Sequence, residues 1–262
     1  MKFAANISWL FKEEANLLKR FVLAKQAGFT AVELAWPYEY NVDEFRAAVS
    51  ASSMELVLLN TPPGGKGDLG LAAVPNRSDE FLSGLQLAID YAKAGGCSMI
   101  HIMAGLLPEG DVSVETRANY RQQFISNLQA ASDLLKNENM TGLIEPINTR
   151  VSVPRYCYST PEEAFDILSA VNRDNIKYQC DLFHLQIEHG NVARFLQNNV
   201  DKIGHIQVAQ VPDRHEPDSE GEMNYDFVFG ILRKAGYDRW IGLEYAPAGE
   251  TTDGLKWMDR VK

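Results

Sequence analysis

Hydrophobic residues along this chain follow two alternating rhythms. Short, nearly continuous apolar runs are separated by longer segments whose apolar residues recur three and four positions apart. The first pattern predicts buried strands and the second amphipathic helices. Strands are expected over residues 3–8, 31–36, 54–59, 99–103, the run Gly142-Leu143-Ile144-Glu145, 177–183, 203–209 and 240–245. A helix over 16–26 places Leu17, Phe21 and Ala24 on one face, with Gly28 as its stop. Another is expected over 43–50. Phe81, Leu85, Ala88, Ile89 and Ala92 line one over 79–94, and Phe124, Leu128, Ala131 and Leu135 one over 115–136. Ser159-Thr160-Pro161-Glu162-Glu163 reads as a helix start: a hydroxyl cap, proline in the first turn, then acids facing the positive end of the helix dipole. Further helices are expected over 192–198, from the end of a polar 210–224 loop to about 235, and toward the C-terminus.

Eight strands alternating with helices imply a parallel sheet covered by helices. No change of composition marks a linker, so residues 1–262 are expected to form one domain. A length of 262 residues favours a closed (β/α)8 TIM barrel. An open doubly wound sheet is the competing topology, but no GxGxxG turn follows the first strand. The proline- and glycine-containing segment 61–76 is an unusually long loop, of the kind that is functional or mobile.

Composition narrows the partners. The chain is 45% hydrophobic and 23% charged, with a net charge of −10. Nucleic acid is disfavoured, since phosphate recognition needs a concentrated basic face. No apolar run reaches the length of a membrane span. The apolar N-terminus is interrupted by Asn6 and Ser8 and closed by Lys12-Glu13-Glu14, so it reads as a strand rather than a signal peptide. Cys97, Cys157 and Cys180 form no CxxC unit and suit a reducing compartment; a cytoplasmic location is expected.

In a barrel of this type chemistry collects at the C-terminal ends of the strands. The last four strands bring Glu145, Asp181, Gln207 and Glu244 there. Clustered buried acids repel unless a cation or proton lies among them. Four oxygen ligands without thiolate or imidazole suit a hard divalent ion, Mg²⁺ or Mn²⁺, ahead of zinc. Capping of one or two acids by Arg or Lys is the structural alternative. His101 and His184 lie near strand ends within reach of a substrate oxygen. Arg214 offers a planar fork suited to a carboxylate, or else a solvated loop charge.

Asn6-Ile7-Ser8-Trp9-Leu10-Phe11, Val32-Glu33-Leu34-Ala35-Trp36-Pro37, Leu59-Asn60-Thr61-Pro62-Pro63-Gly64, Glu145-Pro146-Ile147-Asn148 and His205-Ile206-Gln207-Val208-Ala209, with Pro212, Arg214 and Glu216, together resemble the hydroxypyruvate isomerases. These belong to the wider group of xylose-isomerase-like barrels, and the resemblance covers nearly the whole chain. It implies a divalent metal at Glu145, Asp181, Gln207 and Glu244, with Glu145 and Glu244 as the catalytic acid and base. It implies a substrate site that includes His184, Arg214, His101, Asn6 and Asn60. The implied reaction interconverts hydroxypyruvate and 2-hydroxy-3-oxopropanoate by proton transfer through an enediolate, with no nucleotide or redox cofactor. The partner is then a small hydroxy or keto acid, and a homo-oligomer is compatible with it. Asp213 stands where a glycine is common, and Pro217-Asp218-Ser219-Glu220-Gly221 departs from the usual turn, which bears on the substrate. The competing expectations are an isomerase or epimerase of another short keto acid or sugar, and a metal-binding barrel without turnover.

Overall fold

The computed structural model describes residues 1–110 and 112–261. Its elements run β1 (Lys2–Asn6), α1 (Leu17–Gln26), β2 (Ala31–Glu33), α2 (Val42–Ser52), β3 (Glu55–Asn60), α3 (Ser78–Gly95), β4 (Met99–His101) and α4 (Val114–Asn137). They continue with β5 (Thr141–Ile144), α5 (Pro161–Val171), β6 (Ile176–Asp181), α6 (Leu182–Glu188), α7 (Val192–Asn199), β7 (Ile203–Val208), α8 (Tyr225–Lys234) and β8 (Trp240–Leu243). A 3-10 helix over Thr251–Arg260 follows. The eight strands pair in chain order, all parallel, and β8 returns to β1 through pairs such as Phe3 with Ile241. The closed (β/α)8 barrel is thus present, and the open sheet is excluded. Among the described residues no helix is long and apolar enough to cross a membrane.

Local sequence explains most boundaries. Asn16, Asn41, Ser113 and Asn224 cap their helices by accepting backbone N–H bonds. Thr160 and Glu163 form the reciprocal box that begins α5. Gly28, at φ 90°, turns the chain out of α1 through a conformation costly for other residues. The core lies mainly between sheet and helices, where Phe21, Phe45, Leu85, Phe124, Leu128 and Leu196 are buried.

Two boundaries differ from the sequence expectation. The apolar run over 177–183 predicts one strand, but β6 stops at Asp181, whose Oδ1 accepts the Phe183 N–H at 2.8 Å and starts α6. The segment 61–76 is not loose along its length. Leu71, Ala72 and Ala73 are buried, and Ala73 donates to the Ala104 carbonyl at 2.8 Å. Asn127 from α4 holds the Ala72 carbonyl at 2.8 Å. The latter half of this loop is therefore a packed wall.

The C-terminal 3-10 helix packs on the outside of the barrel, against α8 and β1. Trp257 stacks on Phe229 and meets Phe3 edge-on, with ring centroids 5.9 and 5.1 Å away. Trp257→Ala should therefore lower unfolding free energy by about 3–5 kcal/mol, measured by urea denaturation.

Candidate active site

The strand ends collect most of the expected polar residues at one mouth. Asn6 ends β1, Glu33 ends β2, Asn60 ends β3 and His101 ends β4. Glu145 and Glu244 follow β5 and β8 directly, Asp181 ends β6, and Gln207 is next to last in β7. A cavity of about 330 Å³ opens above them, lined by Asn6, Asn60, His101, Glu145, His184, Gln207, Arg214 and Glu244, with Trp9, Lys12, Trp36 and Leu69 among its other walls. Asp181 lies beneath this lining and is buried. A hollow of about 290 Å³ lies outside the barrel between α4 and α5 and holds none of these acids.

Arg214 crosses the acid cluster. Its Nη2 lies 3.0 Å from Asp181 Oδ2 and 2.8 Å from Glu244 Oε1. The guanidinium is clasped between the Trp9 and Phe183 rings, 4.4 and 4.8 Å from their centroids. Ring faces attract a desolvated cation and fix the plane of its fork. Arg214 thus caps two of the acids, the structural alternative for the cluster, while it also lines the cavity.

One bridging cation does not neutralise the set. Burial pushes the Glu145 carboxyl well above the usual range, and nearby Glu244 and Asp181 push it further. Burial also raises Asp181, partly offset by Arg214. Glu244 is pushed up to about 8, by burial first, against the pull of Arg214. Glu145 Oε1 is buried with no hydrogen-bond partner among the described residues. Glu145, Asp181 and His184 each bring one ligand atom within 4.8 Å of the others.

Burial holds His101 and His184 neutral. Burial lowers His101 to about 3 and His184 well below its ordinary value. Asn148 Nδ2 lies 2.6 Å from His184 Nδ1 and donates to it. That contact places the remaining proton on Nε2, which faces Asp181 Oδ2 at 3.6 Å. His184 is therefore a hydrogen-bond donor toward the site, and the carboxylates are the better cation ligands. His101 Nδ1 lies 3.5 Å from Glu145 Oε2.

A family model described as xylose isomerase-like TIM barrel matches residues 21–261. The chain belongs to the xylose isomerase-like TIM barrel family. Across 99% of its length it is 48% identical to a Xenopus laevis protein named "Putative hydroxypyruvate isomerase", of which 95% is covered. It is 40% identical over its full length to a Haemophilus influenzae protein named 2-oxo-tetronate isomerase, with 99% of that protein covered. A solved structure titled AP endonuclease, family 2, from Brucella melitensis superposes with a TM-score of 0.93 at 39% identity, covering 100% of this chain and 99% of that one.

In this member of the xylose isomerase-like barrels the donor set fits a hard divalent cation. An unpartnered buried carboxylate oxygen of Glu145, with Asp181 and His184 close by and the Glu244 charge acting on it, is the environment such an ion satisfies. Gln207 is placed differently from the other expected ligands. Its amide nitrogen faces Glu244 and lies 2.7 Å from Glu33 Oε1, while its oxygen accepts from Gln179 at 2.7 Å. Asn6 reaches Glu33 at 2.9 Å and Glu244 at 3.2 Å. Asn60 contacts Met103 Sδ at 3.9 Å and, among the described residues, bonds to none of the acids. Glu33, Gln179 and Asn148 were not among the expected site residues. A lone acid in the apolar run of β2, and Gln179 two residues before Asp181 on the same strand face, are the sequence signals for the first two.

A raised carboxyl pKa stabilises the fold at low pH and ceases to do so as pH rises. Below about pH 4.5 folded and unfolded Glu244 are both protonated; up to about 8 only the folded chain keeps the proton. In the presence of a chelator, unfolding free energy should therefore fall between about pH 5 and 8. Glu244→Gln should flatten that slope in urea denaturation.

Proposed function

We propose that the chain is an isomerase of short 2-oxo hydroxy acids, interconverting hydroxypyruvate and 2-hydroxy-3-oxopropanoate. The observation that carries this is the pair Glu145 and Glu244, two carboxyls held with raised proton affinity at the mouth of one cavity. Groups tuned toward neutral pH are those best matched to taking and returning a proton. The names of the relatives support the same reaction class.

The reaction moves one carbon-bound proton between adjacent carbons. A carboxylate removes a proton from C3 of hydroxypyruvate, and the electron pair passes into the C2 carbonyl to give an enediolate. Return of a proton to C2, with transfer of the O3 proton to O2, yields the aldehyde. Atoms balance without a redox partner. Glu145 and Glu244 serve as the base and acid. The His184 Nε2–H donates to a substrate oxygen near Asp181. Arg214 and the exposed Lys12 bring positive charge to the cavity against the substrate carboxylate. Glu145, Asp181, Gln207 and Glu244 would hold a divalent ion, Mg²⁺ or Mn²⁺. When bound, such an ion supplies positive charge against the developing enediolate oxygens. Gln207 joins that set through its oxygen, which requires the amide to be held in one orientation.

A short 2-oxo acid of four carbons is the second substrate, favoured by the volume of the cavity, about 330 Å³, and by the 2-oxo-tetronate isomerase relatives. Nuclease chemistry is not favoured: the acid cluster and a net charge of −10 oppose a phosphate backbone.

Glu145→Gln and Glu244→Gln should each lower kcat on hydroxypyruvate by about a hundredfold to ten-thousandfold. Their melting temperatures should be unchanged or higher, because each substitution removes a buried ionisable group. Near-normal kcat in both variants would remove the acid–base assignment. Treatment with EDTA should abolish turnover, and Mg²⁺ or Mn²⁺ should restore it; full activity in a protein shown to be metal-free would contradict the metal role.

A further inference from the structure

Glu33 is the most completely buried acid near the site, with no exposed surface, and none of the chemistry above uses it. It is not a stray charge. Its Oε1 accepts from Asn6 Nδ2 at 2.9 Å and from Gln207 Nε2 at 2.7 Å. Its Oε2 lies 2.6 Å from His205 Nε2. Three N–H groups from β1 and β7 converge on one carboxylate, the kind of satisfaction a buried charge requires.

The barrel is shaped to admit this contact. Glu33 stands on β2, and its partners on β7 lie beyond β1 and β8 in the strand order. Its side chain therefore crosses the barrel interior above β8. Gly242 on β8 lies under the crossing, and a Cβ there would overlap both Glu33 carboxylate oxygens. Gly242 also pairs in register with Gln207. The absence of a side chain at one position of β8 thus lets a carboxylate from β2 reach an amide on β7.

The consequence falls on Gln207. An amide has a donor end and an acceptor end, and the two can exchange by rotation. Glu33 accepts at the nitrogen end, while Gln179 donates at the oxygen end and also donates to Glu145 Oε2 at 3.2 Å. The amide is clamped from both sides. Asn6, held by the same Glu33 oxygen, presents its Nδ2 to Glu244 at 3.2 Å.

We propose that Glu33 is a positioning residue: seated over Gly242 and braced by His205, it fixes the amide of Gln207, and with it Asn6, so that the acid centre binds a divalent cation. The inference rests on the proposed metal site. Partners outside the ligand set of a metal commonly change its affinity by about 10–100-fold.

The test is Mn²⁺ affinity by electron paramagnetic resonance on the full chain, with melting curves and circular dichroism as controls for folding. Glu33→Met keeps the volume and removes both acceptors; it should weaken Mn²⁺ binding about tenfold or more. Gly242→Ala should do the same by displacing an intact Glu33. Glu33→Gln should stay within about threefold of wild type. Its Oε1 still accepts from both amides, and His205 can accept the new NH₂ in its other tautomer. In the Gln207→Met background, adding Glu33→Met should cost nothing further, because the residue it acts through is gone. A folded E33M with wild-type affinity overturns the inference, as do losses that multiply in the double variant. Should E33M not fold, E33Q decides: a folded E33Q that loses tenfold overturns the inference, and retained affinity supports it. Wild-type protein that takes up no Mn²⁺ overturns the metal centre and this inference with it. Tight wild-type binding that E33M matches overturns this inference alone.

Discussion

Charge repulsion among buried carboxylates is the constraint on which this barrel mouth depends. Glu145, Asp181 and Glu244 share one end of the barrel, and burial raises all three pKa values, with repulsion from neighbouring acids, Glu33 among them, adding to it. Removing a charge from water costs several kcal/mol even after relaxation, so such a group persists only where something compensates it. Two kinds of compensation are visible. Arg214, clasped between Trp9 and Phe183, puts one guanidinium nitrogen between Asp181 and Glu244. Amide hydrogens of Asn6, Gln179 and Gln207 reach the remaining oxygens, Glu145 Oε1 excepted. The same energetic tension gives the site its chemistry, since a carboxyl whose proton affinity approaches neutrality can both accept and donate.

The barrel translates that tension into geometry. Parallel strands in a closed ring end on the same face, so one residue per strand suffices to build a centre. Strand termination is used twice at Asp181: its Oδ1 caps α6 through the Phe183 N–H, while its Oδ2 meets Arg214. Capping fixes the side chain by a local hydrogen bond, and the fixed carboxylate then orients a guanidinium from the loop after β7.

The periodic apolar runs make the barrel legible in the sequence. Eight short strands separated by amphipathic stripes allow few other topologies in a chain of this length. The helix α6 was hidden because Tyr178 to Phe183 is apolar apart from Gln179 and Asp181; the capping role of Asp181 was the missed signal. Polar strand ends at Glu145, Asp181, Gln207 and Glu244 were equally readable. Arg214 was readable as a residue but not as a bridge, because its partners come from β6 and β8. Glu33 carried the same mark as Glu145, a lone acid in an apolar strand. Its role was illegible because it depends on Gly242 and on His205, far away in sequence and joined to it only by barrel closure.

The central claim is that a carbon-bound proton is moved by the Glu145 and Glu244 pair. It is tested most directly by running the reaction on hydroxypyruvate in deuterium oxide with Mg²⁺ present and following the carbon-bound positions by proton NMR. Deuterium should enter C2 of the product, and C3 of the recovered substrate as the reaction reverses. Glu145→Gln and Glu244→Gln should show neither at a comparable rate. Isomerisation that leaves the carbon-bound hydrogens unlabelled would indicate hydride migration, and an unchanged, unlabelled substrate would indicate a protein without this activity. Either result would contradict the account.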